Sequence, residues 1–289
     1  MKNLTILLII IFSIADTVIS QDHQWINYNN GDYITAIAQE GDHIWIGTAE
    51  GGLVKIDKNT SLSEFYNKAN SGIPSNYIRS IAIDGNGAKW IGTSEGLAMY
   101  DGTNWDVYNV DNSAMRVNSV SAIAIEENGV KWIGTHEIYG GGLASFDGVI
   151  WTDYTDSLPW YQVTSIAIDI DGTKWVGTRG DSYYGYGGLA SFDGTDWTIY
   201  NPSNSSLPSF YVSSISIDDY GTKWIGTYFA GLAEFDGSNW IVYDTSNSGL
   251  PHNDISSIAI ENDGTKWIGC NGLVKFDGAN WVVYNESNS

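Results

Sequence analysis

Apolar and small residues alternate in short runs along most of this chain, the two-residue period of a strand with one face buried. The run Ile255-Ser-Ser-Ile258-Ala-Ile260 is one example. A turn, Glu261-Asn-Asp-Gly264, follows it. A second run is Lys266-Trp267-Ile268-Gly269 and a third is Leu273-Val-Lys-Phe276. Asp277-Gly278-Ala-Asn280 then reads as a hairpin turn before a fourth run, Trp281-Val-Val-Tyr284. This pattern predicts four short antiparallel strands. It recurs six times, marked by Trp-Ile-Gly-Thr or a one-residue variant at Trp45, Trp90, Trp132, Trp175, Trp224 and Trp267, at spacings of 45, 42, 43, 49 and 43 residues. A period in the forties built from four strands is the pattern of a β-propeller blade. The expected fold class is all-β, a propeller of six complete four-stranded blades.

The third-strand phrase recurs at Tyr100-Asp101-Gly102, Phe146-Asp147-Gly148, Phe192-Asp193-Gly194 and Phe235-Asp236-Gly237. The fourth strand carries Trp105 with Tyr108, Trp151 with Tyr154, Trp197 with Tyr200 and Trp240 with Tyr243. Residues three apart on a strand point to opposite faces, so each pair is expected to stack on both neighbouring blades. Residues shared by every repeat serve the scaffold, and the tryptophans read as packing residues. The first repeat is degenerate, with Ile56-Asp57-Lys58 and Phe65-Tyr66 in the corresponding places.

The ends of the pattern do not balance. Trp25-Ile-Asn-Tyr28 is a seventh fourth-strand phrase, while the other three strands occur six times each. One reading is a fragment of a seven-bladed ring, in which an N-terminal outer strand closes the last blade and removes a sheet edge. The other is a closed six-bladed ring with a redundant outer strand.

Composition narrows the setting. Acidic residues number 34 against 13 basic, a net charge of −21, which argues against nucleic acid or an anionic membrane as partner. Lys2, an apolar run from Leu4 to Ile14 and Val18-Ile19-Ser20 read as a signal peptide over residues 1–20, with the propeller over 21–289. No later apolar run is long enough to span a bilayer, so the expected location is secreted or periplasmic. The single cysteine, Cys270, stands where five repeats have Thr and reads as a small packed residue.

The combined phrases Ser-Ile-Ala-Ile-Asp, Gly-Thr-Lys-Trp-Ile-Gly-Thr, Gly-Gly-Leu-Ala-x-Phe-Asp-Gly, Trp-x-x-Tyr and Ser-Asn-Ser-Gly-Leu-Pro are cleanest between Ser165 and Pro251. They resemble the two-component regulator propeller repeat, found in extracytoplasmic sensor regions of bacterial histidine kinases and in secreted proteins. The resemblance covers residues 24 to 289. It implies a propeller with a recognition role in the cell envelope, and it transfers no catalytic residue.

Function is expected where repeats differ, because loops on a rigid scaffold carry it more often than the scaffold does. The variable segments are the loop after each Trp-Ile-Gly-Thr and the linker between blades, which fall on one face. The candidates are His136, Glu137 and Tyr139 in repeat three, and Arg179, Asp181, Tyr183, Tyr184 and Tyr186 in repeat four. Trp160, Tyr161 and Tyr211 lie in linkers, and Tyr228 and Phe229 lie in repeat five. Aromatic rings beside Asp and Arg suit a sugar, whose apolar face stacks while its hydroxyls take hydrogen bonds. The expected function is a non-enzymatic binding or sensor module for an oligosaccharide or other envelope ligand. A secreted lyase or hydrolase using His136 and Glu137, similar to the streptogramin-inactivating enzymes, and a scaffold for an envelope protein partner are the alternatives. Clustered His, Glu and Arg over the central channel would favour an enzyme, and exposed aromatics would favour binding. Acidic turns such as Asp169-Ile-Asp171-Gly172 read as turn formers, and the four histidines have no metal-ligand spacing. No cofactor or metal is expected.

Overall fold

A computed structural model describes residues 33–181 and 183–285. The chain forms a six-bladed β-propeller. Each blade is a four-stranded antiparallel sheet in simple up-and-down order. Helix is confined, among the described residues, to one 3₁₀ turn at Thr155–Ser157. In blade six the strands Lys266–Gly269, Leu273–Phe276 and Trp281–Tyr284 coincide with the runs read from sequence, and the first, Ser257–Ile260, begins two residues late. The first strands of the six blades are Ile34–Glu40, Ile78–Ile83, Val120–Ile125, Val163–Ile168, Val212–Ile217 and Ser257–Ile260. They lie side by side in chain order and surround a central channel.

Blades are joined by a repeated set of contacts. The repeat Trp of one blade meets an aromatic from the third strand of the next: Trp90 with Phe146, Trp132 with Phe192, Trp175 with Phe235 and Trp224 with Phe276. The Lys preceding the next blade's Trp lies over the same indole, as with Lys89 on Trp45 and Lys266 on Trp224. The turn carboxylate of the first blade takes the indole N–H: Glu40 from Trp45, Asp84 from Trp90, Glu126 from Trp132 and Asp218 from Trp224. Asp169 instead binds Lys223 at 2.6 Å, and the Trp175 indole N–H has no partner. These carboxylates are therefore turn and interface residues, as their sequence context implied.

The repeat glycine and threonine have equally local reasons. Any Cβ on Gly177 would fall 2.5 Å from Val212, and Gly47, Gly92, Gly134 and Gly226 accept a β-branched residue of the next blade in the same way, whereas Gly269 of blade six meets only Ser256 and Ser257 of its own blade. The threonine hydroxyl donates to the carbonyl of a glycine opening the third strand, as from Thr93 to Gly96 and from Thr227 to Gly231. Cys270 occupies this position in blade six, buried, with its thiol pushed up to about 11 by burial.

Fourth-strand aromatics do face both ways. Trp105 stacks on Tyr100 at 4.4 Å toward blade one, and Tyr108 stacks on Trp90 toward blade three. Five buried clusters fill the five interfaces between consecutive blades. Among the described residues, no such cluster joins blade six to blade one. Trp267 is half-buried where the other five repeat tryptophans are buried, and its lysine neighbour is Lys275 of its own blade. Ile34 is half-buried where its equivalents Ile78, Val120, Val163 and Val212 are fully enclosed. The segment Trp25–Tyr28 and the leader at residues 1–20 lie outside the described residues. No helix among those described is long and apolar enough to cross a membrane.

The two classes of tryptophan predict different costs. Trp224→Ala leaves a cavity beneath Phe276 and Lys266 and is expected to destabilise the fold by about 3–5 kcal/mol. Trp267→Ala should cost clearly less, since solvent already reaches that ring. Urea unfolding of both variants checks this, and equal losses would refute the assignment of Trp267 to an unfilled interface.

Candidate functional site

The first strands of blades one to five each carry a β-bulge near the start. In five blades the bulged residues are Thr35, Arg79, Ser121, Thr164 and Ser213, each skipped in the pairing with the second strand. A bulge re-aims its side chain, and here these residues, with Ser256, ring the channel. The hydroxyls donate to the next blade: Thr35 to the Ile78 carbonyl, Ser121 to Val163, Thr164 to Val212 and Ser213 to Ile255. Arg79 is the exception to this ring.

Above the ring, in blades one to five, the residue after Trp-Ile-Gly-Thr or its variant bonds to the residue that opens the same blade. The backbone N–H of Ser94 donates to Tyr77, that of His136 to Ser119, that of Arg179 to Gln162 and that of Tyr228 to Tyr211. These two variable positions are thus clamped together by backbone. They form the channel mouth, a cavity of about 460 Å³ lined by Tyr77, Arg79, His136, Tyr211, Tyr228 and Asp254 above the hydroxyl ring.

The long segments of repeats three and four are extended hairpins rather than loose loops. Strands Lys131–Glu137 and Gly140–Phe146 turn at Ile138-Tyr139, and strands Lys174–Asp181 and Tyr186–Phe192 are paired in one hairpin with Tyr183-Tyr184-Gly185 in the turn before Tyr186. The blade-four hairpin is held from both sides, by Gly187 N–H to the Pro159 carbonyl and Gly180 N–H to Phe210. Gly180 has no room for a side chain, because a Cβ would meet the Phe210 and Tyr186 carbonyls at 2.2 Å. Gln162, buried, donates to the carbonyls of Glu137 and Ile138 and fixes the blade-three tip.

A second cavity of about 690 Å³ lies between these hairpins and the linkers, lined by Ile138, Trp160, Tyr161, Arg179, Phe210 and Phe229, and it shares Tyr211 and Tyr228 with the mouth. Trp160 stacks on Tyr161 at 4.3 Å and on Tyr186 at 5.0 Å, with an interplanar angle of 11° in the second pair. Tyr184 and Tyr183 continue the series outward. On the far side, Tyr228 contacts Tyr211 and Phe229. Phe229 is exposed at φ 67°, a left-handed conformation costly for an aromatic residue, and its N–H is held by Asp254 at 2.6 Å.

Of the residues singled out from sequence, Arg179, Trp160, Tyr161, Tyr211, Tyr228 and Phe229 line the cleft, and His136 lines the mouth. Tyr186, Tyr184 and Tyr183 stand at the blade-four tip beside Trp160, and Tyr139 projects alone from blade three at 95% exposure. Asp181 ends its strand opposite Tyr186. Glu137 follows His136 on one strand, so their side chains leave on opposite faces. Glu137 lines neither cavity, and the structure does not bring it to His136 as an acid–base pair. The sequence reading missed Tyr77, Arg79 and Gln162. Aligning the repeats at the bulge would have exposed Arg79, since that position otherwise reads Thr, Ser, Thr, Ser, Ser.

The mouth is electrically uneven. Burial, then the charges of Arg179 and Arg79, hold the His136 imidazole down at about 4, so it is neutral near pH 7. Tyr211 is raised, burial outweighing the charge of Arg179, whose guanidinium lies 5.5 Å from its ring. The site thus combines two guanidinium groups, a neutral imidazole and several aromatic faces. Among the described residues, no group of His, Cys, Asp and Glu is arranged to hold a metal.

No family model matches the chain, and no curated protein matches it. Several solved structures share its fold. PorZ, a bacterial surface component of the type-IX secretion system of Porphyromonas gingivalis, matches at 20% identity and TM-score 0.67, over 84% of this chain and 38% of its own. Catalytically inactive virginiamycin B lyase from Staphylococcus aureus, solved with quinupristin, matches at 14% identity and TM-score 0.72, over 89% and 86%. An extracellular domain assigned to a hybrid two-component system of B. thetaiotaomicron matches at 19% identity and TM-score 0.55, over 87% and 41%. This chain therefore spans about two fifths of the first and third of these proteins.

The low value at His136 has a consequence for stability. Between about pH 6.5 and about pH 4 the unfolded chain binds a proton at this residue and the folded chain does not, so its contribution to stability falls as pH falls through that window. At pH 5 the loss is about 1 kcal/mol, after allowance for solvent at the mouth. His136→Gln should therefore gain about 1 kcal/mol on the native protein between neutral pH and pH 5. Denaturant unfolding at both pH values checks it, and a difference that ignores pH would show that the imidazole is not held neutral.

Proposed function

We propose that the protein is a non-enzymatic recognition propeller acting outside the cytoplasm, and that it takes an oligosaccharide on the face formed by the hairpins of blades three to five. The observation that carries this reading is the cleft whose wall is the Trp160–Tyr186 stack and whose floor runs into the channel mouth. Flat aromatic faces in an open, pre-formed groove accept the apolar side of a pyranose, while Gln162, Ser209 and exposed carbonyls offer hydrogen bonds to its hydroxyls. The cleft volume lies within the ~300–1,000 Å³ usual for ligand sites. An extracytoplasmic setting is supported by the acidic composition and by the surface or extracellular placement of two of the proteins that share the fold.

A second reading, a lyase, is favoured by one observation: a neutral imidazole, His136, faces the channel with Arg79 and Arg179 acting on it. Virginiamycin B lyase shares the architecture, and a likeness of 14% identity extends to the fold alone.

A glycan array followed by calorimetric titration of the captured sugar tests the first reading. Tyr184→Ala and Tyr186→Ala should each weaken binding about fivefold, the worth of roughly 1 kcal/mol per ring. Both are exposed, so stability should stay within about 1 kcal/mol. Unchanged affinity with a fall in melting temperature would assign these rings to covering the blades instead. Turnover of an offered substrate that vanishes in His136→Ala would replace the binding reading with the lyase.

A further inference from the structure

We propose that the junction of mouth and cleft is an oxyanion site, in which Arg79 from the mouth and Arg179 from the cleft grip a carboxylate or sulfate ester carried by the ligand. The proposal rests on the reading of this face as a glycan site and sets the class of glycan: an acidic one.

The argument begins with what Arg79 replaces. At its position in the ring four other blades place a hydroxyl that donates to the neighbouring blade's backbone. Arginine forgoes that inter-blade bond and brings a charge toward the channel. Among the described residues no hydrogen bond compensates. The Arg79 Nε is buried without a hydrogen-bond partner, and native structures seldom leave such a donor unmet.

The charge balance points the same way. The chain has three arginines. Arg116 is held by two carboxylates, Asp153 at 2.8 Å and Asp156 at 2.9 Å. Arg79 and Arg179 form no ion pair among the described residues. In a chain with 34 acidic residues, counter-charges are abundant, yet the one carboxylate lining the mouth, Asp254, is already engaged. It lies 3.6 Å from His252 and accepts the Phe229 N–H.

Geometry selects an oxyanion over other ligands. Each guanidinium rests one face near a tyrosine ring, Arg79 on Tyr77 at 4.6 Å and Arg179 near Tyr211 at 5.5 Å. A guanidinium carried over an aromatic ring keeps its N–H donors for a planar or tetrahedral oxyanion, which such a fork binds through paired hydrogen bonds. His136 beside them is neutral, so its ring N–H can donate without adding charge. A sugar lying in the aromatic cleft would reach this mouth across Tyr211 and Tyr228, which border both cavities.

The test follows the arginine Nε–H signals of ¹⁵N-labelled protein during titration with sodium sulfate, sodium glucuronate or glucose, at ionic strength matched with sodium chloride. The Arg79 signal should shift saturably with sulfate and glucuronate, at concentrations at least tenfold below any effect of chloride, and should ignore glucose. Response to both anions indicates a general oxyanion site, and response to one alone identifies the group as sulfate or carboxylate. Arg79→Gln should lose at least tenfold in anion affinity, and Arg79→Lys should recover part of it. Arg179→Gln, at an exposed position, should lose affinity too and serves if the Arg79 variants fold poorly. Shifts that do not saturate, or that follow ionic strength alone, overturn the oxyanion site while leaving the aromatic cleft to be judged by the neutral sugars of the array. Saturable anion binding with no glycan captured would uphold the oxyanion site and discard the saccharide reading.

Discussion

The structure depends on one contact between blades: an indole held between the carboxylate of its own turn and the lysine of the next blade. In the first interface Trp45 donates to Glu40, and Lys89 lies over the ring while binding the same carboxylate at 2.7 Å. Lysine, carboxylate and indole are largely removed from water together, so each would be costly alone. The aromatic third-strand residue closes the indole's edge, and a β-branched side chain sits on the adjacent glycine. Four short strands cannot bury their faces by themselves. This contact lets each blade bury its faces against its neighbours, and five interfaces use variants of it.

That contact and the hairpin turns together account for part of the chain's acidity. Asp101, Asp147, Asp193, Asp236 and Asp277 each accept two backbone N–H groups in the turn between third and fourth strands. These hydrogen bonds hold their carboxyls below the usual range, Asp277 to about 2. Glu40, Asp84, Glu126, Asp218 and Glu261 serve the indoles. Ten of the 34 acidic residues are thus committed to turn and interface construction. Against that acidity, two arginines with no ion pair among the described residues, one at the channel mouth and one in the adjoining cleft, are the departure that carries information.

The rigid part of the repeat ends at the threonine of Trp-Ile-Gly-Thr, and the variable part begins at the next residue. Its backbone is still fixed by a hydrogen bond to the opening of its own blade, so Ser94, His136, Arg179 and Tyr228 change side chain without changing place. Variation is confined to positions whose direction the scaffold has already set, which is how a repeat protein can alter a site and keep its fold.

The sequence by itself determined the blade. Two-residue alternation, the Asp-Gly turns and a tryptophan every forty-odd residues specify strands, turns and repeat number, because those features act between residues close in the chain. It also placed Arg179, Trp160, Tyr211, Tyr228 and Phe229 on one face, since loops of variable length must share the end of the propeller where they do not disturb the sheets. Tertiary structure alone decided that Trp160 stacks on Tyr186, a residue 26 positions later, and that Glu137 turns away from His136. It alone decided that Arg79 reaches the channel and that Trp267 lacks the cover its five equivalents have. Bulge direction, the seating of a linker against a hairpin and the filling of an interface all depend on what a neighbouring blade presents. No local pattern in the chain records that.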